Sequence, residues 1–128
     1  MHEWALAQAV VAEVEKIVKR GGRVERIVVY LGELQAVDRE VFNQYISMMI
    51  EEVSPSTSIE YVEEKARFSC RVCNSEWSLD MVELDEATRE AIHFLPEAVY
   101  SYIRCPRCGS RDYEIVAGRG VRVGIDYR

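Results

Sequence analysis

The chain has 128 residues, of which 48% are apolar, so it is long enough for one compact domain or for a small domain that carries a smaller metal-stapled one. Its formal net charge is −6, which argues against a general affinity for nucleic acid phosphates. No apolar run approaches the roughly 20 residues that cross a bilayer, and no signal peptide precedes the first amphipathic segment, so we expect a cytoplasmic protein.

The first half of the sequence alternates between helical and extended patterns. Apolar side chains recur at helical spacing in the first and third segments, whereas the second and fourth are rich in β-branched or aromatic residues. Gly21-Gly22 ends the first helix, and Asp38 is a candidate N-cap for the second. The sequence predicts helix, strand, helix and strand at residues 4–20, 23–31, 39–52 and 57–68. The apolar face of the second helix is predicted to consist of Val41, Phe42, Tyr45, Met48, Met49 and Val53.

The second half of the sequence contains two Cys-x-x-Cys pairs with a helical pattern between them. That helix is predicted at 83–93, and two strands are predicted after the second pair, at 112–117 and 121–127. A strand at the C-terminal end needs a sheet to join, and the N-terminal sheet is the obvious partner. We therefore expect the cysteine-containing segment to be inserted into a domain that the C-terminal strand completes.

All four cysteines of the chain fall into the two pairs: Cys70, Cys73, Cys105 and Cys108. Each turn aims two sulfurs the same way, and two such turns can close a tetrahedral shell around one zinc ion. A closed shell leaves no position for a substrate, so the expected role of zinc is structural, and metal binding would supply much of the folding free energy of so small a segment. Nearby arginines are expected to offset the thiolate charge: Arg71, Arg104, Arg107 and Arg111.

The predicted fold class is α+β: a small mixed β-sheet with two helices, plus an inserted zinc-ribbon-like domain with a four-cysteine zinc site. The predicted α+β domain comprises residues 1–66 and 114–128, and the predicted insert comprises 67–113. The interval between the two cysteine pairs, 74–104, is longer than the roughly 15–20 residues of an ordinary zinc ribbon, so an additional element is expected between them.

Other uses of the cysteines remain open from spacing alone. Iron can occupy four thiolates as zinc does. The composition, rich in Glu and Arg and poor in Asn and Gln, leans towards a thermophile, and thermophile cytosols tolerate disulfides. A thioredoxin-like dithiol predicts one pair at a helix start inside a βαβ context, and neither pair has that setting.

The chain begins Met1-His2-Glu3, which offers a second set of metal donors. The α-amine, the His2 backbone nitrogen and the His2 imidazole can close two adjacent chelate rings, and planar nitrogen donors suit Ni(II) or Cu(II). A fourth donor could come from Glu3, through its carboxylate or amide, or from the other histidine, His93. Taken singly, these residues have plainer interpretations, because a histidine at position 2 is usually a solvated chain end and His93 beside Phe94 is more often a packing residue.

Several motifs occur together along nearly the whole chain. They are Met1-His2-Glu3-Trp4-Ala5-Leu6-Ala7, Val28-Val29-Tyr30-Leu31-Gly32-Glu33-Leu34, Ile92-His93-Phe94-Leu95-Pro96-Glu97, the first cysteine pair, and Cys105-Pro106-Arg107-Cys108-Gly109-Ser110. In this combination the sequence resembles the HypA family of hydrogenase nickel incorporation proteins, in its archaeal form.

The resemblance implies a nickel metallochaperone, not an enzyme. It implies that Ni(II) is a transient cargo, delivered to the large subunit of [NiFe]-hydrogenase together with a HypB-type GTPase. It places nickel on the Met1 amine, His2 and Glu3, with His93 able to complete the shell, and structural Zn(II) on the four cysteines. We expect a monomer or weak homodimer that spans no membrane and binds no nucleic acid.

Two other classes of protein make different demands. A zinc-ribbon interaction module, which would bind nucleic acid or a protein complex without transferring nickel, calls for a basic, aromatic surface, and the acidic balance disfavours it. A thiol redox enzyme would keep its fold after chelation and cycle its thiols with a reductant. Metal analysis separates these classes, since a carrier holds about one tight zinc and a nickel that comes and goes.

Overall fold

The computed structural model describes residues 2–35 and 37–128, without the side chain of His2. Met1 and Ala36 lie outside the described residues. In chain order the helices and strands are α1 (His2–Lys19), β1 (Val24–Gly32), α2 (Arg39–Val53), β2 (Ser58–Glu64), β3 (Arg67–Cys70), β4 (Glu76–Ser78), α3 (Glu86–Phe94), α4 (Val99–Tyr102), β5 (Tyr113–Ala117) and β6 (Val121–Tyr127). Two short 3-10 helices lie at Leu79–Met81 and Pro96–Ala98. None of the helices in the described part combines the length and apolar character of a membrane span.

The chain divides into two compact units, which we call unit 1 and unit 2. Unit 1 comprises residues 2–31, 37–62 and 121–128, and unit 2 comprises residues 32–35 and 63–120. The predicted functional division, 1–66 with 114–128 against 67–113, stays a prediction, because a unit of packing need not coincide with a unit that binds one metal.

Unit 1 contains two helices and a three-stranded sheet in the order β2-β1-β6. β6 runs antiparallel to β1, with Ile125 opposite Ile27 and Val121 opposite Leu31. The predicted pairing of the C-terminal strand with the N-terminal sheet is therefore confirmed. The buried core draws on both helices and β1: Ala7, Val10, Val11, Val14, Val24, Ile27, Val29, Leu31, Phe42, Ile46 and Ile50.

The ends of the two long helices follow from local chemistry. Gly21 adopts a left-handed φ of 83° after α1, and the Gly22 N–H donates to the Ile17 carbonyl at 2.9 Å. The Asp38 carboxylate caps α2 by accepting from the Val41 N–H at 3.1 Å, as predicted. The end of α1 and the start of α2 therefore lie where unpaired backbone groups find partners.

The predicted apolar face of α2 is wrong at Met48, and it leaves out Ile46 and Ile50. The buried residues are Phe42, Ile46 and Ile50, whereas Met48 is 56% exposed. Successive residues turn by about 100° in a helix, so Met48 is about 200° from Ile46 and Ile50 and lies on the opposite side. The sequence of α2 is apolar on more than one face, so its pattern alone did not identify the buried face.

Unit 2 contains a smaller sheet in the order β4-β3-β5, with short helices around it. Its core is aromatic: Trp77 stacks on Phe68 with ring centroids 5.4 Å apart, and Tyr113 meets Trp77 edge-on at 5.0 Å. Cys70 and Cys105 are themselves buried in this core. The side chains of these two cysteines therefore contribute to packing as well as to any metal site.

The single strand predicted at 57–68 is two strands in two different sheets. β2 ends at Glu64 and β3 begins at Arg67. Between them the Ala66 N–H donates to the Glu33 carboxylate at 2.9 Å instead of to a neighbouring strand. β4 and α4 were not predicted, because three or four residues carry too little periodicity to be recognised. The α+β class itself is confirmed.

Candidate metal centre

Four thiols lie together at one end of the unit 2 sheet. Cys70 is the last residue of β3, Cys73 follows in the turn to β4, and Cys105 and Cys108 lie in the turn before β5. All four are free cysteines, and their sulfurs lie within 4.8 Å of one another. Neither pair starts a helix, so the setting of a thioredoxin-like dithiol is absent from the described residues.

The spacing of the sulfurs suits a tetrahedral ion. Sγ of Cys70 is 3.6 Å from Sγ of Cys108, and Sγ of Cys73 is 3.6 Å from Sγ of Cys105. A tetrahedron with Zn–S bonds of about 2.3 Å has edges of about 3.8 Å. The four cysteines are therefore placed where one zinc ion could bind them all.

The two turns have the same backbone geometry. In the first, the Cys70 carbonyl accepts from the Asn74 N–H at 3.0 Å, and in the second the Cys105 carbonyl accepts from the Gly109 N–H at 2.9 Å. The fifth residue of each turn is left-handed, with φ of 61° at Asn74 and 77° at Gly109. Asn and Gly are the residues that adopt this conformation at least cost, so the sequence favours two matching turns. We call these turns, residues 70–75 and 105–110, the first and second knuckle.

One further residue closes each knuckle. The Cys70 N–H donates to the Ser75 carbonyl, and the Cys105 N–H donates to the Ser110 carbonyl, both at 2.9 Å. The same pair of hydrogen bonds therefore holds the backbone of both turns.

Hydrogen bonds to the sulfurs come from the backbone and from one serine. The Val72 N–H donates to Cys70 Sγ at 3.4 Å. The Ser75 hydroxyl lies 3.0 Å from Cys73 Sγ and 3.2 Å from Cys105 Sγ. Sequence reasoning did not identify Ser75, because the identical residue type occurs at the equivalent position of the second knuckle.

The thiols differ in acidity. The pKa of Cys73 is lowered by the Ser75 hydroxyl and backbone N–H. Burial opposes ionisation of Cys105, but hydrogen bonds from Ser75 and from the backbone of Cys108 and Arg107 lower its pKa to about 6. The Ser110 N–H favours the Cys108 thiolate, yet desolvation and the three neighbouring thiols raise its pKa to about 12. Thiols this close cannot all ionise without a cation, because the thiolates repel one another. A divalent metal ion would supply the positive charge that offsets this repulsion.

Of the four arginines expected to offset the thiolate charge, Arg71 has side-chain partners other than the sulfurs. The Arg71 guanidinium pairs with the Asp112 carboxylate at 3.1 Å, donates to the Tyr113 carbonyl at 3.1 Å and approaches Glu114 at 3.6 Å. It therefore braces the knuckle against β5 through carboxylates and a carbonyl. Arg107 contributes to Cys105 through its backbone N–H.

The predicted nickel ligands are only partly described. Met1 lies outside the described residues, and so does the side chain of His2, although α1 begins at His2. Glu3 is 7% exposed, and its carboxylate Oε2 accepts from the Asp38 N–H at 3.2 Å. His93 lies in the last turn of α3, where it is half-buried between buried Ile92 and exposed Phe94.

Comparison with known proteins gives a family over nearly the whole chain. A family model described as hydrogenase/urease nickel incorporation, metallochaperone, hypA, matches residues 1–125. The hydrogenase maturation factor HypA of Thermococcus kodakarensis is 45% identical over an alignment of 128 positions, which covers 96% of this chain and 92% of that protein. The corresponding protein of Pyrococcus horikoshii is 43% identical with the same coverage.

Two solution structures share the fold. The Ni metallochaperone HypA from Helicobacter pylori superposes with a TM-score of 0.61 at 23% identity, covering 98% of this chain and 97% of its own. A second solution structure of a HypA protein gives a TM-score of 0.65 at 24% identity, with 98% and 95% coverage. These similarities establish a common fold.

Proposed function

Since this chain belongs to the HypA family of hydrogenase and urease nickel incorporation metallochaperones, we propose that it binds Ni(II) and delivers it to the large subunit of a [NiFe]-hydrogenase, with a HypB-type GTPase as its partner. The observation that carries the proposal is the extent of the family match. It spans residues 1–125 and so includes both the Met-His-Glu start and all four cysteines. The protein acts as a carrier, and no catalytic residues are assigned.

Zinc is proposed as the resident ion of the four-cysteine cluster. Cys70, Cys73, Cys105 and Cys108 would hold it as thiolates, and their mutual spacing supports a single tetrahedral site. Bound there, zinc supplies charge neutralisation and cross-linking, because four protein ligands leave no position for exchange. The proposed division of labour gives the structural ion to residues 67–113 and the cargo to the start of the chain, with His93 of the insert as an additional nickel ligand.

Nickel is proposed to bind at the chain start, through the Met1 amine, the His2 backbone nitrogen and imidazole, and Glu3. The position of α1 supports this assignment. α1 begins at His2, and the first N–H groups of a helix have no acceptor within the helix. The metal can therefore take backbone nitrogen from His2 or Glu3 without breaking a helical hydrogen bond, and a chain end can move away to release it.

Glu3 is assigned to nickel through its backbone and not through its carboxylate. The carboxylate is buried and accepts from the Asp38 N–H, so it links the start of α1 to the cap of α2. We expect Glu3→Gln, which keeps an acceptor oxygen, to leave nickel affinity within about threefold of wild type. Glu3→Ala removes that acceptor and should therefore lower the thermal stability of the protein. A large loss of nickel binding in Glu3→Gln would show that the carboxylate is a ligand.

His93 is the proposed additional nickel ligand. It lies on α3, whose start is capped by the Asp85 carboxylate accepting from the Thr88 N–H at 2.8 Å. A capped helix gives the imidazole a defined backbone position. His93→Ala should then weaken nickel binding and change its coordination spectrum; unchanged affinity and spectrum would remove His93 from the ligand set.

The remaining proposals concern the cellular location, the oligomeric state and nucleic acid binding. Four free thiols persist best in a reducing compartment, which supports a cytoplasmic location. We assign a monomer or weak homodimer that binds no nucleic acid, in keeping with the net charge of −6.

A nickel titration of the zinc-loaded protein tests the proposal. Wild type is compared with His2→Ala and with a variant that carries one extra residue before Met1, and a variant with one extra residue after Arg128 serves as the control. We expect His2→Ala and the N-terminal extension each to weaken binding at least about tenfold, since both remove nitrogen donors. Full-strength binding in both variants would overturn the terminal site. An absence of nickel binding in wild type would favour a zinc-binding module without nickel transfer.

A further inference from the structure

The two knuckles have the same pattern of backbone hydrogen bonds but differ in one side-chain contact. Ser75 and Ser110 occupy equivalent positions, each five residues after the first cysteine of its pair, and each is half-buried. Both accept a hydrogen bond from that cysteine through the carbonyl. The hydroxyls diverge, because the Ser110 Oγ accepts from the Asp112 N–H at 2.9 Å whereas the Ser75 Oγ bonds sulfur.

Ser75 bonds sulfurs from both knuckles. Its Oγ lies 3.0 Å from Sγ of Cys73, in its own knuckle, and 3.2 Å from Sγ of Cys105, in the other. Those two sulfurs are 3.6 Å apart, so the hydroxyl spans one edge of the four-sulfur cluster. Within residues 2–35 and 37–128, no other side chain apart from the cysteines hydrogen-bonds to these sulfurs.

We propose that the Ser75 hydroxyl is a positioning group of the metal site, which donates a hydrogen bond shared by the Cys73 and Cys105 thiolates and so couples the two knuckles. A thiolate accepts hydrogen bonds and carries no hydrogen of its own, so once metal is bound the hydroxyl is the donor. Charge-assisted bonds of this kind are stronger than neutral ones. Partners outside the ligand shell tune metal affinity in this way.

This inference rests on the proposed metal site at the four cysteines and assigns a residue that the cysteine spacing alone does not reveal. The asymmetry of the two serines makes it specific. If each serine acted only on its own turn, Ser110 would matter as much as Ser75, since both accept from the first cysteine of their pair at 2.9 Å through the carbonyl.

The test compares Ser75→Ala with Ser110→Ala as the matched control and Ser75→Thr as the rescue. The full-length protein is loaded with zinc or with Co(II), which reports thiolate bonding through its charge-transfer absorption. We expect Ser75→Ala to weaken zinc binding about 10- to 100-fold and to shift the sulfur-to-cobalt band to longer wavelength, because the unbonded thiolates donate more readily. Ser75→Thr should restore both values, and Ser110→Ala should change affinity less than about threefold.

Equal effects of the two alanine substitutions, or an unshifted cobalt band in Ser75→Ala, would overturn the role of Ser75. A wild-type protein without a tetrahedral cobalt–thiolate spectrum would overturn the metal site itself, and the role of Ser75 with it. Nickel binding at the chain start is measured in the same Ser75→Ala variant and should be unchanged, so failure of the carrier proposal is detected separately.

Discussion

Tyr113 shows how one buried hydroxyl holds both ends of a very short helix, α4. Its side chain is fully buried, and its hydroxyl lies 2.8 Å from the Val99 carbonyl and 2.9 Å from the Ile103 carbonyl. Burial raises the pKa of the phenol, so the group stays a donor at physiological pH, and its one hydrogen is shared between the two carbonyls. The bond ties the segment before Cys105 to β5.

Tyr113→Phe removes that donor from both carbonyls; the Val99 carbonyl still accepts from the Ile103 N–H at 2.7 Å, so the loss falls mainly on the Ile103 carbonyl. We expect the free energy of unfolding to fall by about 1–3 kcal/mol, the cost of an unsatisfied buried polar group. Tyr102→Phe, at a residue that is 55% exposed, is the control and should change stability by less than about 0.5 kcal/mol. Chemical denaturation of the three proteins provides the comparison, and equal stability of Tyr113→Phe and wild type would contradict the role of the hydroxyl.

The thiol cluster predicts a pH dependence with a definite sign. Near neutral pH the Cys105 thiol, with its pKa lowered to about 6, is ionised, whereas the Cys108 thiol, with its pKa raised to about 12, keeps its proton. Zinc requires thiolates, so binding near pH 7 must release the proton of Cys108, and apparent affinity must increase with pH. Calorimetry in two buffers of different ionisation enthalpy should show at least about one proton released per zinc. Zinc uptake without proton release would contradict this assignment.

Individual residues also mark how far the sequence could predict the site. The four cysteines were recognisable because their spacing defines two knuckles, and the structure brings them together. Ser75 could not be separated from Ser110, since only the path of the chain decides which hydroxyl meets sulfur and which meets the Asp112 N–H. The buried carboxylate of Glu3 was equally hidden, because its partner is 35 residues away at Asp38.

At the scale of elements, long periodic segments were predicted well and the junctions between sheets were not. α1 and α2 are each at least four turns long, α1 is followed by the left-handed Gly21, and α2 is capped by Asp38. The break between β2 and β3 depends instead on contacts from distant segments, since the Ala66 N–H bonds Glu33 and the Gly118 N–H bonds the Glu64 carboxylate at 3.2 Å. Such contacts leave no periodic signal in the sequence.

Gly118 provides a test of that junction. It has a φ of 78°, and a Cβ added there would lie 2.6 Å from both Cα and N of Ala66. We expect Gly118→Ala to lower the free energy of unfolding by about 3 kcal/mol or more, because left-handed strain and a backbone clash add. Gly109 has a φ of 77° and nothing within 4 Å of an added Cβ, so Gly109→Ala should cost only about 1–2 kcal/mol. Equal unfolding midpoints for the two variants in thermal denaturation would show that the close approach is not rigid.

At the scale of the whole molecule, the two units have different means of stability. Unit 1 has helices of 18 and 15 residues and an apolar core of its own. The strands of unit 2 contain four, three and five residues, and two of its cysteines are part of its core. Short strands and a small core depend on a cross-link, which four thiolates on one zinc would provide.

Removal of zinc with a strong chelator under reducing conditions should therefore unfold unit 2 selectively. Amide resonances of β3, β4 and β5 should lose their dispersion in two-dimensional NMR spectra, while those of α1, α2 and β1 should keep theirs. Restoring zinc should restore the spectrum. Retention of the unit 2 resonances after verified removal of the metal would show that the cluster is dispensable for folding.

The division between a resident ion and an exchangeable cargo is tested most directly by counting metals in one sample. The zinc-loaded protein is incubated with a small excess of Ni(II), examined by native mass spectrometry, then treated with a chelator of moderate strength and examined again. We expect one zinc and one nickel per chain at first, and one zinc alone after chelation, because a closed four-thiolate shell exchanges slowly while a chain-end site opens. Nickel that replaces the zinc, or zinc and nickel that are lost together, would contradict the assignment of the two metals to two separate sites.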